Sequence, residues 1–371
     1  MMAFELPPYP YDLLNPFREI AERHKGGIVD LSVGTPCDPP PIVVVNALSD
    51  SKSERGYPKS VGSTDYLKAC ADWLGRTFGV EVPVSEGLAG CIGTKEFVAS
   101  APNDLRLANP DKDTVLYPSV SYPSYAMGAQ LAGCRSIPIP VDSNFKMDLG
   151  QVADEDAERS LMIWINSPSN PTGELEDLTR AAEWGRERNI PVFSDECYAE
   201  FTWSTEPQTI LSEGLDGVVA VHSLSKRSNL AGLRSGFYAG DPNIIHWLRE
   251  IRKHAGKMIP GPVQAAAVHA FLDDDHVEVQ KHLYRERLGF LKTCFGELGF
   301  AVSLPDGAFY LWIRSEERNC WEIVEELATN VGVLVTPGTF FGESCGNYVR
   351  VAAVQEMSKL SLLKERISKL S

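Results

Sequence analysis

Leu161-Met162-Ile163-Trp164-Ile165-Asn166-Ser167-Pro168 opens the stretch that decides the fold, and Pro191-Val192-Phe193-Ser194-Asp195-Glu196 closes it. Each begins as an apolar run of strand length and breaks abruptly into polar residues. Between them, Asp177 to Asn189 carries Ala181, Ala182 and Trp184 at roughly helical spacing. Strand, helix, strand, with both strands apolar throughout, is the pattern of a mostly parallel sheet covered on both faces. The pattern continues outward in both directions. Thr114 to Tyr117 leads into Pro118-Ser119, Val218 to Val221 leads into His222-Ser223, and Ser235 to Ala239 closes the series. No internal repeat or low-complexity segment interrupts it.

Beyond about residue 241 the pattern changes. Asn243 to Lys257, Gln264 to Leu272 and Val277 to Leu298 read as helices, the first stopped by Pro260-Gly261-Pro262. Phe300 to Ser303 and Ala308 to Ile313 read as strands, Trp321 to Val331 as a helix and Tyr348 to Ala352 as a strand. This is α+β in character and predicts a second, smaller domain, with the Pro-rich first forty-odd residues as an arm against it. The expected divisions are 1–45 for the arm and part of the small domain, 46–260 for the large domain, and 261–371 for interdomain helices and the small C-terminal domain.

The chain of 371 residues, 43% hydrophobic and 23% charged, has ample material for a globular core. Its net charge of −15 disfavours nucleic acid and anionic lipid, so a small anionic ligand needs a local cluster of cations. Eight scattered cysteines without a C-x-x-C pair read as reduced thiols, not a disulfide framework or zinc site. The histidines form no H-E-x-x-H, and Asp273-Asp274-Asp275-His276 reads as a solvated helix end, so no metal is expected. The N-terminus lacks the basic and apolar regions of a signal peptide, and no apolar stretch approaches a membrane span. A soluble, cytoplasmic protein is expected.

In a parallel sheet, ligands sit beyond the carboxyl ends of the strands. The unusual polar residues fall there. Lys226, in His222-Ser223-Leu224-Ser225-Lys226, is a primary amine able to condense with an aldehyde, or else a solvated surface lysine. Arg234, eight residues on, has the fork that suits a phosphate ester, with Ser223 as a further donor. Asn166-Ser167-Pro168-Ser169-Asn170-Pro171-Thr172-Gly173 holds the Asn170 amide in a rigid turn, or is simply a strand-to-helix connection. Asp195, at a buried strand end with Tyr198 nearby, needs a partner or caps the next helix. Gly93-Thr94-Lys95-Glu96 opens a helix whose free N–H groups suit an anion. Tyr122 offers an aromatic face, and Arg350 in Asn347-Tyr348-Val349-Arg350 suits a carboxylate or is an ordinary surface charge.

Taken together these residues describe one cofactor, pyridoxal 5′-phosphate. It requires an amine for its aldehyde, a helix N-terminus with a hydroxyl and an arginine for its phosphate, a carboxylate for its ring nitrogen, donors for its phenolic oxygen and a stacking face.

On these motifs the chain resembles the fold-type-I, class I/II pyridoxal-phosphate-dependent aminotransferases along nearly its whole length. The resemblance implies a large, mainly parallel seven-stranded α/β/α domain plus a small α+β domain from both termini. It implies that Lys226 binds the cofactor aldehyde, Asp195 faces the ring nitrogen, Asn170 and Tyr198 reach the phenolic oxygen, and Tyr122 stacks on the ring. Gly93, Thr94, Lys95, Ser223 and Arg234 then form the phosphate cup. Tyr57 reaches it from the partner subunit of a homodimer. Arg350 clamps the substrate carboxylate, with Gly34 and Asn170 beside it.

Longer stretches, including Ile28-Val29-Asp30-Leu31-Ser32-Val33-Gly34-Thr35-Pro36 and Leu230-Ala231-Gly232-Leu233-Arg234-Ser235-Gly236-Phe237, are similar to the actinobacterial type of N-succinyldiaminopimelate aminotransferase of lysine and diaminopimelate synthesis. That resemblance implies amino transfer from glutamate to N-succinyl-2-amino-6-oxopimelate. Lys257 departs from the pattern, either as a surface change or as a cation for a distal carboxylate. The alternatives are an aromatic, alanine or aspartate aminotransferase, a pyridoxal-phosphate-dependent C–S β-lyase and, remotely, a non-catalytic regulator that binds the cofactor.

Overall fold

Seven strands form the central sheet. They are β1 (Leu88–Cys91), β2 (Thr114–Pro118), β3 (Arg135–Ile139), β4 (Ser160–Asn166), β5 (Val192–Asp195), β6 (Val218–Ser223) and β7 (Gly236–Gly240). The computed structural model describes residues 9–370. The spatial order is β1-β7-β6-β5-β4-β2-β3. β7 runs antiparallel to both β1 and β6, and the other neighbours are parallel. The expected mainly parallel, seven-stranded sheet is present.

Both faces of the sheet are covered, which is why its central strands show no alternation of polarity. Trp164, Phe193, Val219 and Tyr238 face one apolar layer with Phe97 and Tyr125. Ile163, Ile165, Val192, Ala220 and Phe237 face the other, with Trp73, Leu178 and Phe271. The helices end where side chains stop them. α1 (Thr94–Arg106) starts at Gly93, whose φ is 84°. In α2 (Leu178–Arg188), Asp177 accepts from the Arg180 amide at 3.0 Å, and left-handed Asn189 ends the helix. α3 (Leu224–Arg227) is a single turn after β6. α4 (Pro242–His254) is capped by Asp241, which accepts from the Asn243 and Ile244 amides.

The described chain divides into two compact units. One comprises Asp38–Leu283 with Pro305–Ala308, and the other the residues up to Cys37, Tyr284–Leu304 and the residues from Phe309 on. These divisions fall at 37/38 and 283/284, whereas the sequence reading placed them at 45/46 and 260/261. The helix Asp275–Glu297 is shared between the units, so its continuous periodicity hides the second boundary. The smaller unit holds a three-stranded antiparallel sheet of Tyr310–Arg314, Thr336–Pro337 and Tyr348–Ala352, and a parallel pair of Val29–Asp30 with Val333–Leu334. Phe300 to Ser303, expected as a strand, is irregular and has no ladder partner. Among the described residues no helix is long and apolar enough to cross a membrane.

Phe193, wholly buried at the centre of the sheet, packs 5.3 Å from Trp164 and 6.3 Å from Phe97. Phe193→Ala is expected to cost about 3–5 kcal/mol of unfolding free energy by urea denaturation. A loss below about 1 kcal/mol would place Phe193 outside the cooperative core.

Candidate active site

The carboxyl ends of β4 and β5 lie level, because Asn166 pairs with Asp195, and β6 runs two residues beyond Val221, the partner of Asp195. Polar residues that follow these strands are therefore delivered to one edge of the sheet. Asp195 is buried there. Its Oδ2 accepts from the Tyr125 hydroxyl at 3.0 Å and its Oδ1 from the Cys197 amide at 3.3 Å. Burial pushes its carboxyl above the ordinary range, and these neutral donors pull it back. Tyr125 is itself fixed, stacked 5.4 Å from Trp164 and 6.1 Å from Tyr122 in an edge contact. Nothing in the local sequence announces Tyr125; only the tertiary fold brings it to the carboxylate.

The turn after β4 is tied to the same edge. Asn166 Nδ2 donates to the Asp195 carbonyl at 2.7 Å, and the Asn170 amide donates to Asn166 Oδ1 at 2.7 Å. The Ser167–Pro168 and Asn170–Pro171 peptide bonds are cis. Tyr198 is buried in the turn after β5. Lys226 is half-buried on α3. That short helix is pinned by its neighbour Arg227, which donates to Glu200 Oε2 at 2.5 Å and Asp274 Oδ1 at 2.9 Å, while Ser223 Oγ accepts from the Ser225 amide at 3.1 Å. Asp274, read as part of a solvated helix end, is thus a partner of Arg227. Burial pushes the Cys197 thiol well up, the Asp195 charge adds to the rise, and the charge of Lys226 opposes it.

Gly93 to Lys95 and Arg234, expected to form the phosphate cup, come from segments far apart in the chain. A Cβ on Gly93 would lie 2.1 Å from Arg234 Nη2, so only glycine lets the guanidinium lie against the start of α1. Arg234 has a left-handed φ of 55° and donates to the Ala231 carbonyl at 2.9 Å. The Cys197 thiol donates to Thr94 Oγ1 at 3.1 Å, joining the Asp195 turn to the first residue of α1. Lys95 follows, exposed.

Tyr57 is fully exposed, at 100%. Gly34 and Arg350 belong to the smaller unit. There the buried Arg350 guanidinium lies 4.4 Å from the Tyr310 ring and 4.7 Å from that of Phe341, and donates to the Ser32 carbonyl at 2.5 Å. A Cβ on Gly34 would meet the Tyr310 hydroxyl at 2.1 Å, so one tyrosine links both residues.

The structure corrects one expectation. Lys257 Nζ donates to Asp104 at 3.0 and 3.1 Å, so it is neither a plain surface change nor a cation left over for a distal carboxylate. Arg252, 2% exposed, forks onto Glu96 at 2.6 and 3.0 Å.

A buried carboxylate at a strand end, a lysine beyond the neighbouring strand and an arginine against a helix start are what a pyridoxal-phosphate-dependent transferase of the aminotransferase kind requires. The sequence profile described as Aminotransferase class I and II matches residues 26–367, and the chain belongs to that family. It is a pyridoxal 5′-phosphate-dependent transaminase. It is similar to 4-dedimethylamino-4-oxo-anhydrotetracycline transaminase OxyQ of Streptomyces rimosus, at 40% identity over 98% of this chain and 99% of that one. It is also similar to the LL-diaminopimelate aminotransferase of Aquifex aeolicus, at 33% identity over 98% and 97% of the two chains. A solved structure, titled a probable N-succinyldiaminopimelate aminotransferase from Thermus thermophilus, superposes with a TM-score of 0.87 at 27% identity, covering 98% and 100%.

The residues present fit the cofactor. Asp195 is a buried carboxylate held by neutral donors, which suits a cationic ring nitrogen, and the Gly93–Arg234 contact leaves a cation at a helix N-terminus, which suits a phosphate.

The Asn170 turn is closed at its far end by Glu176, whose amide donates to Ser167 Oγ at 3.1 Å and whose carboxylate accepts from the Met147 amide at 3.1 Å. Burial pushes the Glu176 carboxyl from 4.5 up to about 7. A group that binds its proton more tightly when folded contributes stability that is full below the unfolded value and gone above the folded one. Between pH 4.5 and 7, therefore, the contribution of Glu176 falls away as pH rises. Relative to Glu176→Gln, the native protein should lose on the order of 1–2 kcal/mol between pH 5 and pH 8 in urea unfolding. A difference independent of pH would mean that this carboxyl does not titrate there.

Proposed function

We propose that the enzyme moves an amino group from glutamate to an acidic keto or aldehyde acceptor, and specifically to N-succinyl-2-amino-6-oxopimelate in lysine and diaminopimelate synthesis. The observation that carries the acidic-substrate reading is Arg350, a buried guanidinium held between two aromatic rings in the smaller unit. Arg350 is a ready carboxylate partner. The similarity to a diaminopimelate aminotransferase supports a diaminopimelate-type substrate, and the solved structure titled a probable N-succinyldiaminopimelate aminotransferase supports its succinylated form. A second reading, a bulky cyclic ketone as acceptor, is supported by the 40% identity to OxyQ.

Bound pyridoxal phosphate supplies an aldehyde to take up the amino group and a ring to accept the electron pair left at Cα. The rest falls to the chain. Gly93, Thr94, Lys95, Ser223 and Arg234 hold the phosphate. Asp195, oriented by Tyr125 and the Cys197 amide, keeps the ring nitrogen protonated. Asn170 and Tyr198 donate to the phenolic oxygen, and Tyr122 covers the ring. Arg350 fixes the substrate carboxylate and so orients the Cα–H bond, with Gly34 and Asn170 as further substrate-binding residues. Lys226 Nζ removes the proton from Cα as a general base.

Lys226→Ala is expected to lower transamination by at least about 10⁴-fold, a loss typical of removing the reacting group. Borohydride reduction followed by peptide mapping should find the cofactor on the peptide containing residue 226, and a label elsewhere would displace Lys226. For the acceptor, single-turnover rates with a panel should be fastest for N-succinyl-LL-diaminopimelate and glutamate. Faster reaction with unsuccinylated diaminopimelate or with cyclic amines would overturn the succinyl reading and leave transamination intact.

The exposed Tyr57 reaches the phosphate of a second copy in a cytoplasmic homodimer. Light scattering should then give twice the chain mass of 40.8 kDa. A monomer with full activity would remove Tyr57 from the site.

A further inference from the structure

Glu96 sits in the first turn of α1, three residues after Gly93, so its backbone lies roughly 5 Å along the axis from the start of the cup. A carboxylate in a first turn ordinarily complements the helix dipole. Here it competes with the anion that the same N–H groups bind. Arg252, in the last turn of α4, meets it with a bidentate fork, Nη2 to Oε2 at 2.6 Å and Nη1 to Oε1 at 3.0 Å. Ser100 Oγ donates to Glu96 Oε1 at 2.7 Å and accepts from Arg252 Nη1 at 2.9 Å. Lys257 Nζ stands 3.9 Å from Glu96 Oε1, although its nearer partner is Asp104. Arg252 Nη1 also lies 3.5 Å from Asp104 Oδ2. Two carboxylates of α1 thus face two cations supplied by the end of α4 and the turn after it. The Arg252 guanidinium is further held 5.1 Å from the Phe97 ring and 5.8 Å from Tyr238.

We propose that Arg252 is a positioning residue for cofactor binding, cancelling the charge of Glu96 so that the N-terminus of α1 accepts a phosphate group. The proposal rests on the reading of Gly93, Thr94 and Arg234 as the phosphate cup. It differs from a purely structural role in its charge logic. If the pair merely docks α1 on α4, removing either partner harms the site. If it cancels a charge, removing Glu96 is harmless or beneficial, and only removing Arg252 alone is costly.

The test is equilibrium binding of pyridoxal 5′-phosphate, and of pyridoxal without the phosphate, to the cofactor-free protein, followed by absorbance. Native protein, Glu96→Gln, Arg252→Gln and the double variant are compared, with inorganic phosphate as competitor. The native chain should bind the phosphorylated compound far more tightly. Arg252→Gln should weaken that binding by roughly tenfold or more, with pyridoxal unchanged, as expected for an uncancelled charge about one helical turn away. Adding Glu96→Gln should restore affinity to within about threefold of native, and Glu96→Gln alone should bind as tightly as native or more so. A tenfold loss in Glu96→Gln alone overturns the proposal, as does equal weakening of both compounds or failure of the double variant to recover. Should Arg252→Gln not fold, the Glu96→Gln result decides by itself. If the native protein does not distinguish the two compounds, the cup reading fails first and takes this proposal with it.

Discussion

A carboxylate buried at the end of a parallel strand is the constraint around which the larger unit is arranged. Desolvating Asp195 costs several kcal/mol in principle, and folding recovers this only where donors are aimed at both oxygens. Those donors are the Tyr125 hydroxyl and the Cys197 amide, both neutral. Each draws another element into place. Tyr125 is locked against Trp164 of β4, and Cys197 reaches Thr94 at the start of α1. One acidic side chain therefore fixes the relation of β4, β5 and α1. Neutral donors hold the ion without cancelling it, which leaves a demand for positive charge that, in the proposed arrangement, a protonated ring nitrogen would meet.

The placement of cations follows a related rule. In a chain with a net charge of −15, several arginines and lysines of the larger unit are committed to acidic neighbours. Arg227 answers Glu200 and Asp274, Arg252 answers Glu96, and Lys257 answers Asp104. Arg234 is placed differently, since its guanidinium lies over a glycine at a helix N-terminus. Two positive features converge there, and an anion is their natural complement.

What the sequence revealed and what it hid separate along physical lines. The central strands and the polar residues after them were readable because a buried parallel strand is apolar throughout and its polar exit is abrupt. Asp177 and Asn189 marked the ends of α2 through local capping, which needs no tertiary information. The edges of the sheet were not readable. β1 is four residues, Leu-Ala-Gly-Cys, with weak strand propensity, and β3 carries Arg135 and Pro138, which an edge strand tolerates and an isolated reading penalises. Phe300 to Ser303 erred the other way, an apolar run without a neighbour to pair with. Tyr125 and the pairing of Lys257 with Asp104 were invisible because their partners are distant in the chain, 70 and 153 residues away.

The division into two units gives the family a way to vary. Lys226, Asp195 and the Gly93–Arg234 contact all belong to the larger unit, whereas Arg350, Tyr310 and Gly34 belong to the smaller one. The proposed chemistry and the proposed carboxylate clamp are thus carried by separate cores. Tyr310 and Phe341 fall in the smaller unit, whereas Asp195 and its donors Tyr125 and Cys197 lie in the larger one. Relatives alignable over 98% of the chain carry names as different as a tetracycline-precursor transaminase and a diaminopimelate aminotransferase. The electron sink and its proton carrier need a fixed geometry, and the acceptor pocket needs only a compatible surface.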